Sequence, residues 1–190
     1  MTIDEFIERN KAHLDILCRL ENYTLEHSWD VLKLSYELGK KAELSEGDME
    51  NLLLGAVFHD VGKSLVPQDI LNKPGKLTDE EFDIIKKHSE LGYELMKENS
   101  SLPKQALEII RDHHERIDGA GYPKNKRGDE LSTLTKIVSI CDVYNALVTD
   151  RVYREAMCTK EALSVLEGAK GSQLDSQLVN VFKNEVIPFI

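Results

Sequence analysis

Residues 48–63 run Asp48-Met49-Glu50-Asn51-Leu52-Leu53-Leu54-Gly55-Ala56-Val57-Phe58-His59-Asp60-Val61-Gly62-Lys63. Leu52 to Phe58 is the longest uninterrupted apolar stretch of the chain, far too short to cross a bilayer. The segment reads as a helix from Gly47 or Asp48 to Val61 that stops at Gly62, a natural C-terminal glycine. Before it, Thr2-x-x-Glu5 is a capping box opening a helix to about Leu20. Asn22 or Thr24 starts a second helix, whose Leu25, Val31, Leu32, Leu34 and Leu38 fit a period near 3.6, with Gly39 near its end. After it, Pro67, Pro74 and Gly75 bracket a loop with one short turn around Gln68 to Leu71. Thr78-x-x-Glu81 caps a helix to about Glu98, and Pro103 opens another that reaches His114. Helices follow from about Thr133 to Val148, Thr159 to Glu167, and Asp175 to the end. No alternating strand pattern of useful length occurs, so the fold class is an all-α bundle. Glu115 to Ser132, with Gly119, Gly121, Pro123 and Gly128, has no periodicity. A loop that long inside a compact domain is usually functional or disordered.

The chain has 190 residues, suited to one domain or one domain with a short appendage. With 41% apolar and 31% charged residues it has enough apolar material for a core. A net charge of −10 disfavours a nucleic-acid polymer as partner. The start, Met1-Thr2-Ile3-Asp4-Glu5, lacks the basic and apolar regions of a signal peptide. Three scattered cysteines, Cys18, Cys141 and Cys158, without a CxxC pair, read as reduced thiols in a cytoplasm, and no membrane association is expected.

Polar residues break the apolar faces in an ordered way. His27 shares a stripe with Val31, Leu34 and Leu38, and His88 lies with Ile84, Ile85, Leu91 and Leu95. His113 follows Ala106, Ile109 and Ile110, while His59-Asp60 follows Leu52, Leu53, Ala56 and Val57. Asp142 sits inward with Leu134 or Val138, beside a Cys141 read as packing. One inward histidine is usually a hydrogen-bonded core imidazole, and His13 is read as a surface or packing histidine. A set of two carboxylates and five imidazoles (adding His114) is different, because burying each without a partner costs several kcal/mol. A metal centre removes that penalty. Seven candidates exceed what one ion with an open position needs, and two ions about 3.5–4 Å apart suit phosphoester hydrolysis. Imidazole and carboxylate without thiolate favour iron or manganese, with nickel and cobalt as alternatives.

His27, then His59-Asp60, then Asp142 resemble the H…HD…D signature of HD-domain metal-dependent phosphohydrolases. His59-Asp60-Val61-Gly62-Lys63 is similar to the HDxGK element of the HD-GYP subfamily. His88, His113-His114-Glu115 and Asp118-Gly119-Ala120-Gly121-Tyr122-Pro123 resemble its H…HHExxDGxGYP elements. Cys141-Asp142-Val143-Tyr144, Asp150-Arg151-Val152-Tyr153-Arg154 and Gly171-Ser172-Gln173-Leu174-Asp175 resemble its ADVYDAL…DRPYR and GTHFDP regions. The match runs from about residue 23 to 183. The resemblance divides the chain into an N-terminal helix or linker remnant, 1–21, and an HD-GYP-like helical domain with a long GYP loop, 22–190.

This resemblance implies hydrolysis of the bacterial second messenger cyclic di-GMP to linear pGpG, and in some members on to GMP. By position it implies a first metal held by His27, His59, Asp60 and Asp142. Asp60 would bridge to a second metal held by His88, His113 and His114. Lys63 would contact the scissile phosphate or a bridging hydroxide. Arg151 and Arg154 would hold phosphate oxygens, and Tyr122 would shape the substrate-side loop. Some members hold a third metal through a Glu four residues before the first histidine; Tyr23 stands there, which implies a binuclear centre. Asn145 stands where the family has Asp, which alters the charge behind the ligands.

The chemistry agrees with the resemblance. Two cations neutralise phosphodiester charge and lower the pKa of bound water to about 7, yielding the bridging hydroxide expected to attack phosphorus. Lys63 would add charge where it develops in the transition state; alone, it would read as a helix-end cation. Lys124, Lys126 and Arg127 after Pro123 suit either substrate capture or solvation. Tyr122 and Tyr153 are candidates to stack on guanine. Alternatives are another cyclic dinucleotide or nucleotide as substrate, or a non-catalytic module that senses the dinucleotide or shows the GYP loop to a signalling protein. A homodimer contact is a further expectation.

Overall fold

The computed structural model describes residues 1–15, 17, 22–150 and 155–189, with the backbone alone described at 22–24 and 99. Ten α-helices carry the described chain: α1 (Ile3–Leu14), α2 (Asn22–Lys41), α3 (Glu46–Phe58), α4 (Gln68–Leu71), α5 (Asp79–Lys86), α6 (His88–Asn99), α7 (Lys104–Asp112), α8 (Thr133–Val148), α9 (Thr159–Ala169) and α10 (Ser176–Val181). A 3-10 segment, Val61–Leu65, follows α3; a π-helical segment, Phe182–Val186, and a 3-10 turn, Ile187–Phe189, follow α10. Among the described residues there is no strand, only isolated bridges joining Asp118 to Arg127 and Lys170 to Leu174. None of these helices is long and apolar enough to cross a membrane.

The core forms where α3 packs between α2 and α7, with α8 against α2 and α6 against α7. Leu52, Leu53, Ala56, Val57 and Phe58 of α3 are fully buried. Each large apolar side chain among them contributes roughly 1.5–3 kcal/mol. Both predicted capping boxes are present, at Thr2/Glu5 and Thr78/Glu81. Ser45 and Ser132 cap α3 and α8 by accepting the amides of Asp48 and Thr135.

Three boundaries differ from the periodicity. The third helix ends at Phe58 rather than Val61, and Gly62 lies inside the 3-10 segment. The helix expected from Thr78 to Glu98 is broken at Lys87 into α5 and α6. The helix expected to reach His114 stops at Asp112. Each break falls next to a histidine, for a reason given below. α1 ends at Leu14; the remainder of the helix expected to about Leu20 falls largely outside the described residues.

Candidate metal centre

Three imidazoles are aimed by one device repeated at three helix ends. Each histidine donates from Nδ1 to the carbonyl three residues earlier: His59 to Ala56 (2.7 Å), His88 to Ile85 (2.7 Å) and His113 to Ile110 (2.9 Å). A carbonyl oxygen only accepts, so Nδ1 carries a hydrogen and, in the neutral ring, Nε2 is the nitrogen with the lone pair. The hydrogen bond takes a carbonyl that a continuing helix would use, which is why α3, α5 and α7 stop there. His27 is aimed from within α2 instead, its Nδ1 donating to Asn145 Oδ1 at 2.6 Å.

These Nε2 atoms converge on two acids. Asp60 faces both ways: Oδ2 lies 3.4 Å from His59 Nε2 and 3.7 Å from His27 Nε2, while Oδ1 lies 3.3 Å from His88 Nε2 and 3.9 Å from His113 Nε2. Asp142 Oδ1 lies 2.9 Å from His27 Nε2 and 3.7 Å from His59 Nε2. Two groups result, His27–His59–Asp142 and Asp60–His88–His113–His114, the ligand atoms in each within 4.8 Å of one another. All seven predicted ligands therefore come together. His114 completes the second group with its ring 4.0 Å from that of His113 and 4.7 Å from that of Tyr122.

The donor set fits divalent ions. His27 and His59 approach through Nε2 at 3.3 Å, as do His88 and His113 at 3.4 Å. With every Nδ1 protonated, each contact sets lone pair against lone pair unless a cation or proton lies between. Asp60 Oδ1 is buried without a hydrogen-bond partner, an arrangement that is costly unless something positive is supplied. Burial would raise the Asp60 carboxyl, but Lys63 and His59 hold it well below the carboxylate range. Asp142 is likewise held low by His27 and His59 against burial. Burial would lower His59, yet Asp60 and Asp142 push it up to about 10. Burial and neighbouring imidazoles lower His113 well below its ordinary value and His114 to about 3, leaving both neutral and able to ligate.

Asn145 is 5% exposed and holds His27 in the tautomer whose Nε2 points at Asp142. Asn145→Leu removes the acceptor while nearly keeping the volume. It is expected to weaken metal binding about 10- to 100-fold at the His27 group while leaving the His88 group unchanged, as read by metal titration. Lys63 Nζ sits 2.5 Å from Asp60 Oδ2 and lines a cleft of about 680 Å³ with His113, His114, Tyr122 and Asp142. Cys141 is fully buried beside the site, as packing requires.

The loop after His114 is held by acids that periodicity did not single out. Glu115 is buried; its Oε1 accepts from the Lys124 amide (2.5 Å) and its Oε2 from the Lys126 amide (3.0 Å). Lys126 Nζ pairs with buried Asp112 at 2.7 Å, and Lys124 pairs with Glu90. Two of the three loop cations expected for substrate capture or solvation are thus engaged by acids. The only available signal was the acid directly following the histidine pair. The loop is tied to the Gly171–Asp175 segment by Asp118 N–H to Ser172 O at 2.8 Å. Tyr122 packs on His114 and lines the cleft. Arg151, Arg154 and Tyr153 lie outside the described residues, as does the side chain of Tyr23.

The HD domain family profile matches residues 4–178. A cyclic di-GMP phosphodiesterase of Pseudomonas aeruginosa is 34% identical over 166 residues, covering 87% of this chain and 40% of that protein. The cyclic di-GMP phosphodiesterase response regulator RpfG of Xanthomonas campestris pv. campestris is 35% identical, covering 94% and 49%. The 3'3'-cGAMP-specific phosphodiesterase 1 of Vibrio cholerae is 35% identical, covering 94% and 42%. The chain spans less than half the length of these relatives. Among solved structures, an HDG"Y"P protein of Bdellovibrio bacteriovorus superposes with a TM-score of 0.72 at 24% identity, over 97% of this chain and 60% of that one, a likeness of fold.

Proposed function

This chain belongs to the HD domain family, and we propose that it is a metal-dependent phosphodiesterase that opens cyclic di-GMP to linear pGpG, with GMP as the product of a second cut. The observation that carries the reading is Asp60, whose two oxygens face two separate imidazole groups. We assign His27, His59 and Asp142 to one ion, His88, His113 and His114 to the other, and Asp60 to both. The imidazole and carboxylate set favours iron or manganese. When bound, two such ions neutralise the phosphodiester charge and supply a deprotonated water near neutral pH. The reaction they would support is hydrolysis at phosphorus, in which a water oxygen replaces the ribose 3′ oxygen and the departing 3′ oxygen takes up the proton.

The protein's own part is positional and electrostatic. Helix-end carbonyls hold the imidazoles in one tautomer, so the ligands do not reorganise during the reaction. Lys63 stands beside Asp60 in the cleft, where it can meet negative charge building on the phosphate oxygens. Lys63→Met is expected to lower kcat about 100- to 1,000-fold while the metal content stays at the wild-type value, measured by steady-state turnover and elemental analysis.

A second reading, hydrolysis of 3'3'-cGAMP, is favoured by the Vibrio cholerae relatives named for that activity. The deciding experiment loads the purified chain with Fe(II) or Mn(II), supplies each dinucleotide, and follows the linear product. Turnover of cyclic di-GMP supports the first reading and turnover of 3'3'-cGAMP alone the second. No turnover of either at full metal occupancy overturns both.

A further inference from the structure

Phe82 lies on α5, a helix none of whose residues is buried. Phe82 is 44% exposed, yet it lines the same cleft as Lys63, His114 and Tyr122. Of the large apolar side chains that stay exposed among the described residues, it is the one that lines this cleft. Exposed apolar residues are common and need no explanation singly, but this one stands in the cavity that holds the phosphate chemistry. Lys86, also in the cleft lining, places Nζ 4.7 Å from the Phe82 ring centroid and pairs with Asp83 at 2.7 Å. The ring is thus held on one side by a neighbouring cation while it contributes nothing to the core.

We propose that Phe82, positioned by Lys86, is a substrate-binding residue that stacks on one purine base of the substrate. This rests on the cyclic dinucleotide reading above. The metal groups address phosphate, which says nothing about bases. A cyclic dinucleotide carries two flat bases beside its phosphates, and an exposed aromatic ring in the same cleft offers one of them a face. Stacking reads the π-face and not the hydrogen-bonding edge, so the shelf accepts guanine and adenine alike.

The test is steady-state kinetics of the Mn(II)-loaded full chain on cyclic di-GMP, with Phe82→Ala, Phe82→Leu and Phe82→Trp. Phe82→Ala is expected to raise KM about tenfold with a far smaller change in kcat. Phe82→Trp is expected to keep KM near wild type, and Phe82→Leu, apolar but without a π-face, to stay impaired. An unchanged KM in Phe82→Ala, or full recovery in Phe82→Leu, overturns the shelf. Absence of cyclic dinucleotide turnover by the wild-type chain instead overturns the parent reading, and the shelf with it.

Discussion

Asp60→Asn is expected to lose both metal ions together and to lower turnover at least about a thousandfold. The reason is geometric. Oδ2 of Asp60 faces His59 and His27, and Oδ1 faces His88 and His113. An amide offers one oxygen and, on the other side, an N–H₂ group pointing at imidazole lone pairs where a cation should sit. Asp142→Asn provides the contrast, because Asp142 approaches only His27 and His59. That variant is expected to lose one ion and keep the other. Elemental analysis of the two purified variants, with circular dichroism confirming the helical fold, distinguishes them. An Asp60→Asn protein that retains two ions per chain would remove the bridging assignment. Equal losses in the two variants would mean that the centre assembles only as a whole.

The residues that converge were legible in the sequence because polar side chains at helical spacing stood on otherwise apolar faces, with His27 beside Val31, Leu34 and Leu38 as the plainest case. How the ligands are aimed was not legible. Apolar periodicity carries α3 through Val61 and joins α5 to α6, and nothing in that pattern shows that His59 and His88 would take the Ala56 and Ile85 carbonyls. A side chain competing for its own helix's acceptors is decided by what waits at the other ring nitrogen, and that lies on different helices. The same limit applies to Leu91. It lies three residues after His88 on the same helix, α6, yet Leu91 is 37% exposed while His88 is fully buried, so the apolar stripe expected to include both does not lie wholly on the buried face. Glu115 and Asp112 gave no periodic signal because their partners, the loop amides and Lys126, lie in a segment without periodicity.

Gly62→Ala is expected to destabilise the fold by about 3 kcal/mol or more and to displace the His88 group from the centre. The sequence suggests Gly62 as a helix-ending glycine, a position that commonly takes a positive φ. The structure gives it another role, since its φ is not among the positive values, which among the glycines occur at Gly75, Gly119 and Gly171. What it supplies is room. A Cβ there would press on the His88 carbonyl oxygen and lie 2.5 Å from the Gly92 nitrogen and 2.9 Å from Gly92 Cα. All three are backbone atoms, so no rotamer change relieves the clash and the 3-10 segment or α6 must move. Movement of either separates His88 from Asp60, because Asp60 precedes the 3-10 segment and His88 begins α6. Gly47→Ala is the matched control: it lies in α3, a Cβ there meets nothing within 4 Å, and helix propensity alone makes the change neutral or stabilising by up to about 1 kcal/mol. Urea unfolding of the metal-free chains measures the first effect, and metal stoichiometry of the folded variants measures the second. A Gly62→Ala protein with wild-type stability and two ions would show that α6 is not locked to the metal centre by this backbone contact.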